Sequence, residues 1–180
     1  MQLENSFEVP APPETAWALL NDVPHVVPCL PGAELTEVVG HDAWKATVHV
    51  RLGPIALQFL ADVRREQVDD TGRRVQLAVK ARDARGRGGA TATIESSLQE
   101  VESGTRVSLV TNLALQGPVA QYGRGVVGSV ATELTRQFAE CLARKIEAEE
   151  QEAAAEVKPV GGFSLALRGL WSSLVGVFRR

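Results

Sequence analysis

Cysteine is nearly missing from this chain of 180 residues: it occurs twice, as Cys29 and Cys141, with no CxxC spacing. That excludes a zinc cluster and a multi-bridge scaffold, and it predicts free thiols in a reducing cytoplasm with no task for either residue. Positive charge is also short. Nineteen Lys and Arg stand against 22 Asp and Glu, for a net charge of −3, so a broad face gripping nucleic-acid phosphates is not expected. The start, MQLENSFEVP, lacks a basic segment followed by an apolar run, so no export signal is expected and the reading is cytoplasmic. What is present is ample apolar material. With 44% hydrophobic residues, a chain of this size buries one core without metal or disulfide support.

The alternation of apolar and polar residues is easy to read, and it marks strands because successive side chains in a strand point to opposite faces. Leu3, Asn5, Phe7 and Val9 share one face of a first strand. From Pro12 to Pro31 the rhythm breaks into two short helices and a turn at Pro31-Gly32, with Pro24 and Pro28 cutting the segment into pieces. Six strands follow, from Leu35–Val39 through rows such as Trp44, Ala46, Val48, Val50 and Leu57, Phe59, Ala61, Val63 to Leu113 and Leu115. Turns at Gly53-Pro54, Asp70-Thr71-Gly72, Gly86–Gly89 and Ser103-Gly104 join them into an antiparallel meander.

From Pro118 to about Glu152 the period becomes about 3.6, with Val127, Ala131, Leu134, Phe138, Cys141, Leu142 and Ile146 on one side. Such a helix must lie across the sheet, since nothing else is large enough to cover its apolar face. The expected fold is therefore α+β of the helix-grip kind. A seven-stranded antiparallel sheet wraps a long C-terminal helix, with two short helices after the first strand. The expected division is a domain over 1–150, an acidic and Gly-containing linker over 151–162, and a tail over 163–180.

Three segments carry a resemblance: Asn21-Asp22-Val23-Pro24 running to Cys29-Leu30-Pro31-Gly32-Ala33, then Val50-Arg51-Leu52-Gly53-Pro54-Ile55, then Gly117-Pro118-Val119-Ala120-Gln121-Tyr122-Gly123. Within the order of elements of the START-like, birch-pollen-allergen superfamily, they resemble the G-subunit family of carbon monoxide dehydrogenase. The resemblance implies a non-catalytic accessory protein beside a molybdenum-containing hydroxylase, concerned with its maturation or its attachment to the membrane.

Helix-grip proteins work through a cavity, which directs attention to the inward positions. Asn5, Trp44, Val48, Phe59, Leu77, Ser96 and Thr111 on strands, with Tyr122, Val127 and Leu134 at the helix, are expected to line it. A mostly apolar pocket with polar Asn5, Ser96 and Thr111 suits an elongated lipophilic ligand with one or two oxygens, of which a membrane quinone is a sensible case. The plainer reading is that those three bond to neighbouring backbone or water. No covalently held cofactor is expected.

Other features invite chemistry and carry less. Gly123, Gly125 and Gly128 suggest that a strand or ligand approaches the helix backbone, or plain helix-to-sheet packing. They also spell GxGxxG, but no parallel strand follows, so a dinucleotide is not expected. His25 and Cys29 lie four apart without a third convergent group, while His41 and His49 sit in a turn and on a wet face, so neither metal nor catalysis is expected. Glu37 is the one carboxylate whose facing is ambiguous. It keeps alive an alternative, a cyclase- or hydrolase-like enzyme acting on a bulky aromatic or polyketide substrate. Lys80, Arg82, Arg85 and Arg87 gather at one turn, as a solvated tip or as a docking patch for an acidic partner or anionic headgroups.

In the tail, Phe163, Leu167, Leu170, Trp171, Leu174 and Phe178 fall on one helical face, and Arg168 and Arg179 opposite, with Arg180 at the end. This pattern predicts an interfacial anchor at the inner face of the cytoplasmic membrane, or a helix that docks on a partner protein.

Overall fold

The architecture is that of a computed structural model, which describes residues 1–52, 55–121 and 123–156. The tail residues 163–180 and Tyr122 lie outside the described residues. Met1–Ile146 packs as one unit, which holds the whole sheet and most of the long helix.

Strand β1 (Gln2–Val9) leads into α1 (Pro13–Asn21), α2 (Val23–Val26) and a 3-10 turn over Val27–Cys29. Then come β2 (Ala33–Gly40), β3 (Ala43–Leu52), β4 (Ile55–Asp69), β5 (Arg74–Asp83), β6 (Gly89–Val101) and β7 (Gly104–Gln116). A second 3-10 segment, Gly117–Gln121, precedes α3 (Arg124–Glu156). The seven strands form one antiparallel sheet in the order β1-β7-β6-β5-β4-β3-β2. The expected fold class is the observed one.

Two details differ from the expected elements. The helical period was read from Pro118, yet Gly117 (φ +76°) turns the chain into the separate 3-10 segment before α3 starts. Only glycine fits there, because a Cβ would collide with the Arg87 carbonyl. At its other end α3 continues through Glu156, into the stretch assigned to the linker.

Antiparallel connections alternate between two ends of the sheet. One end gathers the β2–β3, β4–β5 and β6–β7 turns, with α1 tied to them by Trp17 Nε1, which donates to Asp70 Oδ1 at 3.0 Å, and by the Arg73–Glu14 ion pair. Here the core is solid. Phe7, Val9, Ala16, Val26, Cys29, Leu98, Val107, Leu142 and Ile146 are all buried, Leu142 completely. Phe7 and Phe138 meet edge to face at 5.7 Å between centroids. Thr105, also fully buried, donates its hydroxyl to the Ala11 carbonyl at 2.7 Å.

Cys29 and Cys141 are not free thiols. They form a disulfide across 112 residues, with Cα atoms 5.3 Å apart, within the range such bonds require. The expectation failed because a count says nothing about proximity. Cys141 sits beside Leu142 on the inward side of α3, and the turn over Val27–Cys29 is packed against that same stretch of helix. Lys145 reinforces the junction by donating Nζ to the His25 carbonyl at 2.7 Å. Cysteine usage therefore gives no argument for a reducing compartment.

Candidate functional site

At the opposite end of the sheet, under the first third of α3, the molecule is hollow. The cavity holds about 340 Å³, near the lower limit of the roughly 300–1,000 Å³ typical of small-molecule sites. Its walls come from four directions. β7 supplies Leu109, Thr111, Leu113 and Leu115, and β1 adds Leu3 and Asn5. Val50, Leu57 and Phe59 close one side, and α3 roofs it with Val127, Val130, Ala131, Leu134 and Thr135. The cavity follows β7 from Leu109 to Leu115, about 20 Å at 3.3 Å per residue.

Period-two alternation places these residues together, because directly paired residues of antiparallel strands share a face. Leu3 pairs with Thr111, Thr111 with Ile94, and Val50 with Leu57. The row turns inward as a set.

Polar atoms are few and lie toward the solid end. Asn5 Nδ2 donates to Thr132 Oγ1 at 3.2 Å, and the Thr135 hydroxyl donates to the Ala131 carbonyl at 2.9 Å. With Thr111 they form the polar end of an otherwise aliphatic and aromatic lining. Among the described residues, none that lines the cavity is a His, Asp, Glu, Lys or Arg.

Of the residues expected at the cavity, Asn5, Phe59, Thr111, Val127 and Leu134 line it, and Trp44, Val48, Leu77 and Ser96 do not. Trp44 is 4% exposed and lies farther along the sheet, its ring covered by the Arg65 guanidinium at 5.2 Å. Arg65 explains that placement. It donates to Asp42 Oδ1 at 2.8 Å and to Asn21 Oδ1 at 3.0 Å, clamping the solid end over the indole. Val48 and Leu77 share the inward face and pair directly with the lining residues Phe59 and Ile94, without lining the cavity themselves. Ser96 pairs with Val75 and Leu109 and is placed with Glu95 and Ser97 beside a separate polar groove. Sequence phase alone could have found Leu3, Val50, Leu57 and Leu113. What it lacks is the position at which the solid core gives way to the hollow.

The other candidates are placed apart. Glu37 accepts from Lys45 Nζ at 2.7 Å on the exposed side, which removes its ambiguity. Its carboxylate raises the Lys45 pKa. His41 lies beside Asp42 at 3.2 Å, and no group of three or more metal-ligating side chains occurs among the described residues. A Cβ on Gly123 or Gly125 would meet nothing within 4 Å, and on Gly128 only Leu3, at 4.0 Å. Close approach to the backbone therefore does not account for the first two glycines, which stand in open space.

Asp83 is the buried acid near the hollow end. Its Oδ2 accepts from Arg85 N, Arg87 N and Arg87 Nε at 3.1–3.2 Å, while Oδ1 has no hydrogen-bond partner among the described residues. The Arg87 guanidinium holds the Asp83 carboxyl below the usual carboxylate range.

Known proteins share both the sequence pattern and the fold. The family of the carbon monoxide dehydrogenase G-subunit (CoxG) matches residues 6–147. No curated protein matches the sequence. Among solved structures, a conserved protein from Geobacillus kaustophilus superposes with a TM-score of 0.73 at 21% identity, over 82% of this chain and 96% of that one. The Zhui aromatase/cyclase from Streptomyces sp. R1128 gives 0.58 at 14%, over 82% and 93%. Ara h 8.0201 gives 0.54 at 12%, over 82% and 98%. At these identities the structural likeness speaks for a common helix-grip fold and for nothing finer.

Proposed function

Because this chain belongs to the CoxG family of carbon monoxide dehydrogenase, we propose that it is a non-catalytic accessory protein of a molybdenum-containing hydroxylase, carrying a lipophilic ligand in the cavity beneath α3. The observation that carries this reading is the cavity itself: about 340 Å³, elongated, aliphatic along most of its length and polar at one end. An isoprenoid quinone has the matching shape. Its ring oxygens are acceptors, and the second N–H of Asn5 and the Thr111 hydroxyl are donors at the polar end. Its chain would lie along Leu113, Leu115 and Val119. Such a carrier gives electrons taken from a small substrate by a soluble hydroxylase a route to the membrane.

In this proposal the chain works at the inner face of the cytoplasmic membrane, held there by the tail containing Phe163, Trp171 and Phe178 and the bases Arg168, Arg179 and Arg180. No helix among the described residues is long and apolar enough to cross a membrane. The compartment is testable, because disulfides persist in oxidising surroundings and are rare in the cytosol.

A cyclase-like enzyme would place a general acid or base against its substrate. Among the described residues the cavity lining offers none, and Glu37 faces outward, which favours the carrier.

The test is to purify the full chain from membranes and identify what it carries by lipid extraction and mass spectrometry, then to titrate a short-chain quinone. A bound isoprenoid with saturable binding is expected, together with retention of the hydroxylase in pull-down. An empty cavity with no saturable binding overturns the ligand, and a hydroxylase that ignores the protein overturns the partnership.

A further inference from the structure

Charge is sorted along the long axis of the sheet, and the sorting follows the cavity. Around the hollow end, residues 1–5, 49–60, 80–94 and 111–135 contain three acids: the exposed Glu4, the buried Asp83, and Glu133, which is paired with Arg136. The same segments carry Arg51, Lys80, Arg82, Arg85, Arg87 and Arg124, all exposed. Arg87 is paired with Asp83, and Lys80 faces Asp62 across the ladder. Among the described residues, Arg51, Arg82 and Arg85 form no ion pair. At the solid end Glu8, Glu14 and Asp42 are paired with Arg106, Arg73 and Arg65, and Asp22, Asp69 and Asp70 lie at the same end, in a chain whose net charge is negative.

We propose that the hollow end is a docking face for an anionic lipid bilayer, so that the ligand passes between membrane and cavity without crossing water. The inference rests on the lipophilic-carrier reading and adds the surface through which the carrier loads. A field of this polarity turns the basic end toward a negative surface and the acidic end away from it. Val126, 47% exposed on the first turn of α3 beside Arg124, offers an apolar contact at the same end. A bilayer is favoured over an acidic protein because the arginines share an end of the sheet with an aliphatic cavity, and the cargo of such a cavity resides in lipid.

Docking is read by flotation of the full chain with phosphatidylcholine vesicles containing increasing phosphatidylglycerol. The variant Arg51→Glu/Arg82→Glu/Arg85→Glu is compared with Arg64→Glu/Arg74→Glu/Arg144→Glu, which makes the same change in net charge at exposed positions outside the hollow end. Each cation near an anionic surface contributes about five-fold in affinity, so the first variant should bind about 100-fold more weakly or worse, and the second much less so. Equal losses in both, or full binding by the first, overturn the docking face. Loss of hydroxylase capture with vesicle binding intact overturns it in favour of a protein surface. Short-chain quinone supplied in detergent separates this from the carrier reading. Unchanged uptake with impaired vesicle binding supports both, whereas docking that depends on the three arginines with no uptake at all leaves the face and overturns the carrier.

Discussion

Asp83 shows how much a single side chain can hold at the hollow end. Three N–H donors from Arg85 and Arg87 converge on one of its oxygens, and the Arg87 guanidinium lowers its pKa. A carboxyl whose pKa is depressed in the folded state stabilises above its unfolded value, about 4, and loses that contribution as the pH falls through the lowered one. Asp83→Asn should therefore lower the melting temperature at pH 7 and flatten its fall between pH 5 and 3. Parallel melting curves for the two proteins would show that the Asp83–Arg87 contact contributes nothing. At the polar end of the cavity, Asn5→Leu and Thr111→Val each remove one donor. Each should weaken quinone binding about five-fold in titration, as losing one hydrogen bond of about 1 kcal/mol implies. Equal affinity in both variants would mean that the ligand's oxygens are held elsewhere.

The long helix α3 is two elements in one. Its stretch from Phe138 to Ile146 is locked into the core and bonded to Cys29, while Val127 to Thr135 spans a void. The glycines fall at the spanning end. Gly128 costs about 1 kcal/mol relative to Ala in a helix interior, and an added Cβ would touch only Leu3 in ordinary contact. Gly128→Ala should raise thermal stability by up to that amount while slowing ligand exchange, and stopped-flow fluorescence with a quinone would read the exchange. Faster or unchanged exchange would detach the glycines from loading. Legibility in the sequence also divides by element. Strands β3 to β7 were readable because each is ten or more residues long and alternates over most of that length, in β4 up to a register shift at Arg65/Gln67. β2 was blurred by register shifts at Leu35/Glu37 and Val38/Gly40, which leave Val38 and Val39 both exposed. At the site, phase gave the inward face. The boundary between filled and hollow depends on Phe7 meeting Phe138, a contact across more than a hundred residues that no local pattern encodes.

At the scale of the molecule, one end is solid, acidic and covalently fastened, and the other is hollow and basic. The fastening is strong in principle, since a bridge closing so long a loop stabilises by about 4–5 kcal/mol on chain-entropy grounds. Cys29→Ser/Cys141→Ser, or reductant, should lower the denaturation midpoint by about 2–5 kcal/mol in stability while leaving the cavity's ligand affinity within a few-fold. A collapse of binding would place the bridge in the site's own architecture. Differential alkylation of the two thiols in intact cells would report which state the protein works in.

The bridge also divides the chain into a ring and two arms, residues 1–28 before it and 142–180 after it. The ring runs from Cys29 to Cys141 and contains six of the seven strands, whereas β1, which brings Leu3 and Asn5 to the cavity, hangs outside it. A protease that cuts once between residues 30 and 140 opens the ring without freeing a fragment, so the nicked protein runs as one species until it is reduced. A cut between residues 10 and 28 severs the N-terminal arm. It is then held only by its ladder to β7 and its packing, and a wall of the cavity becomes an exchangeable peptide.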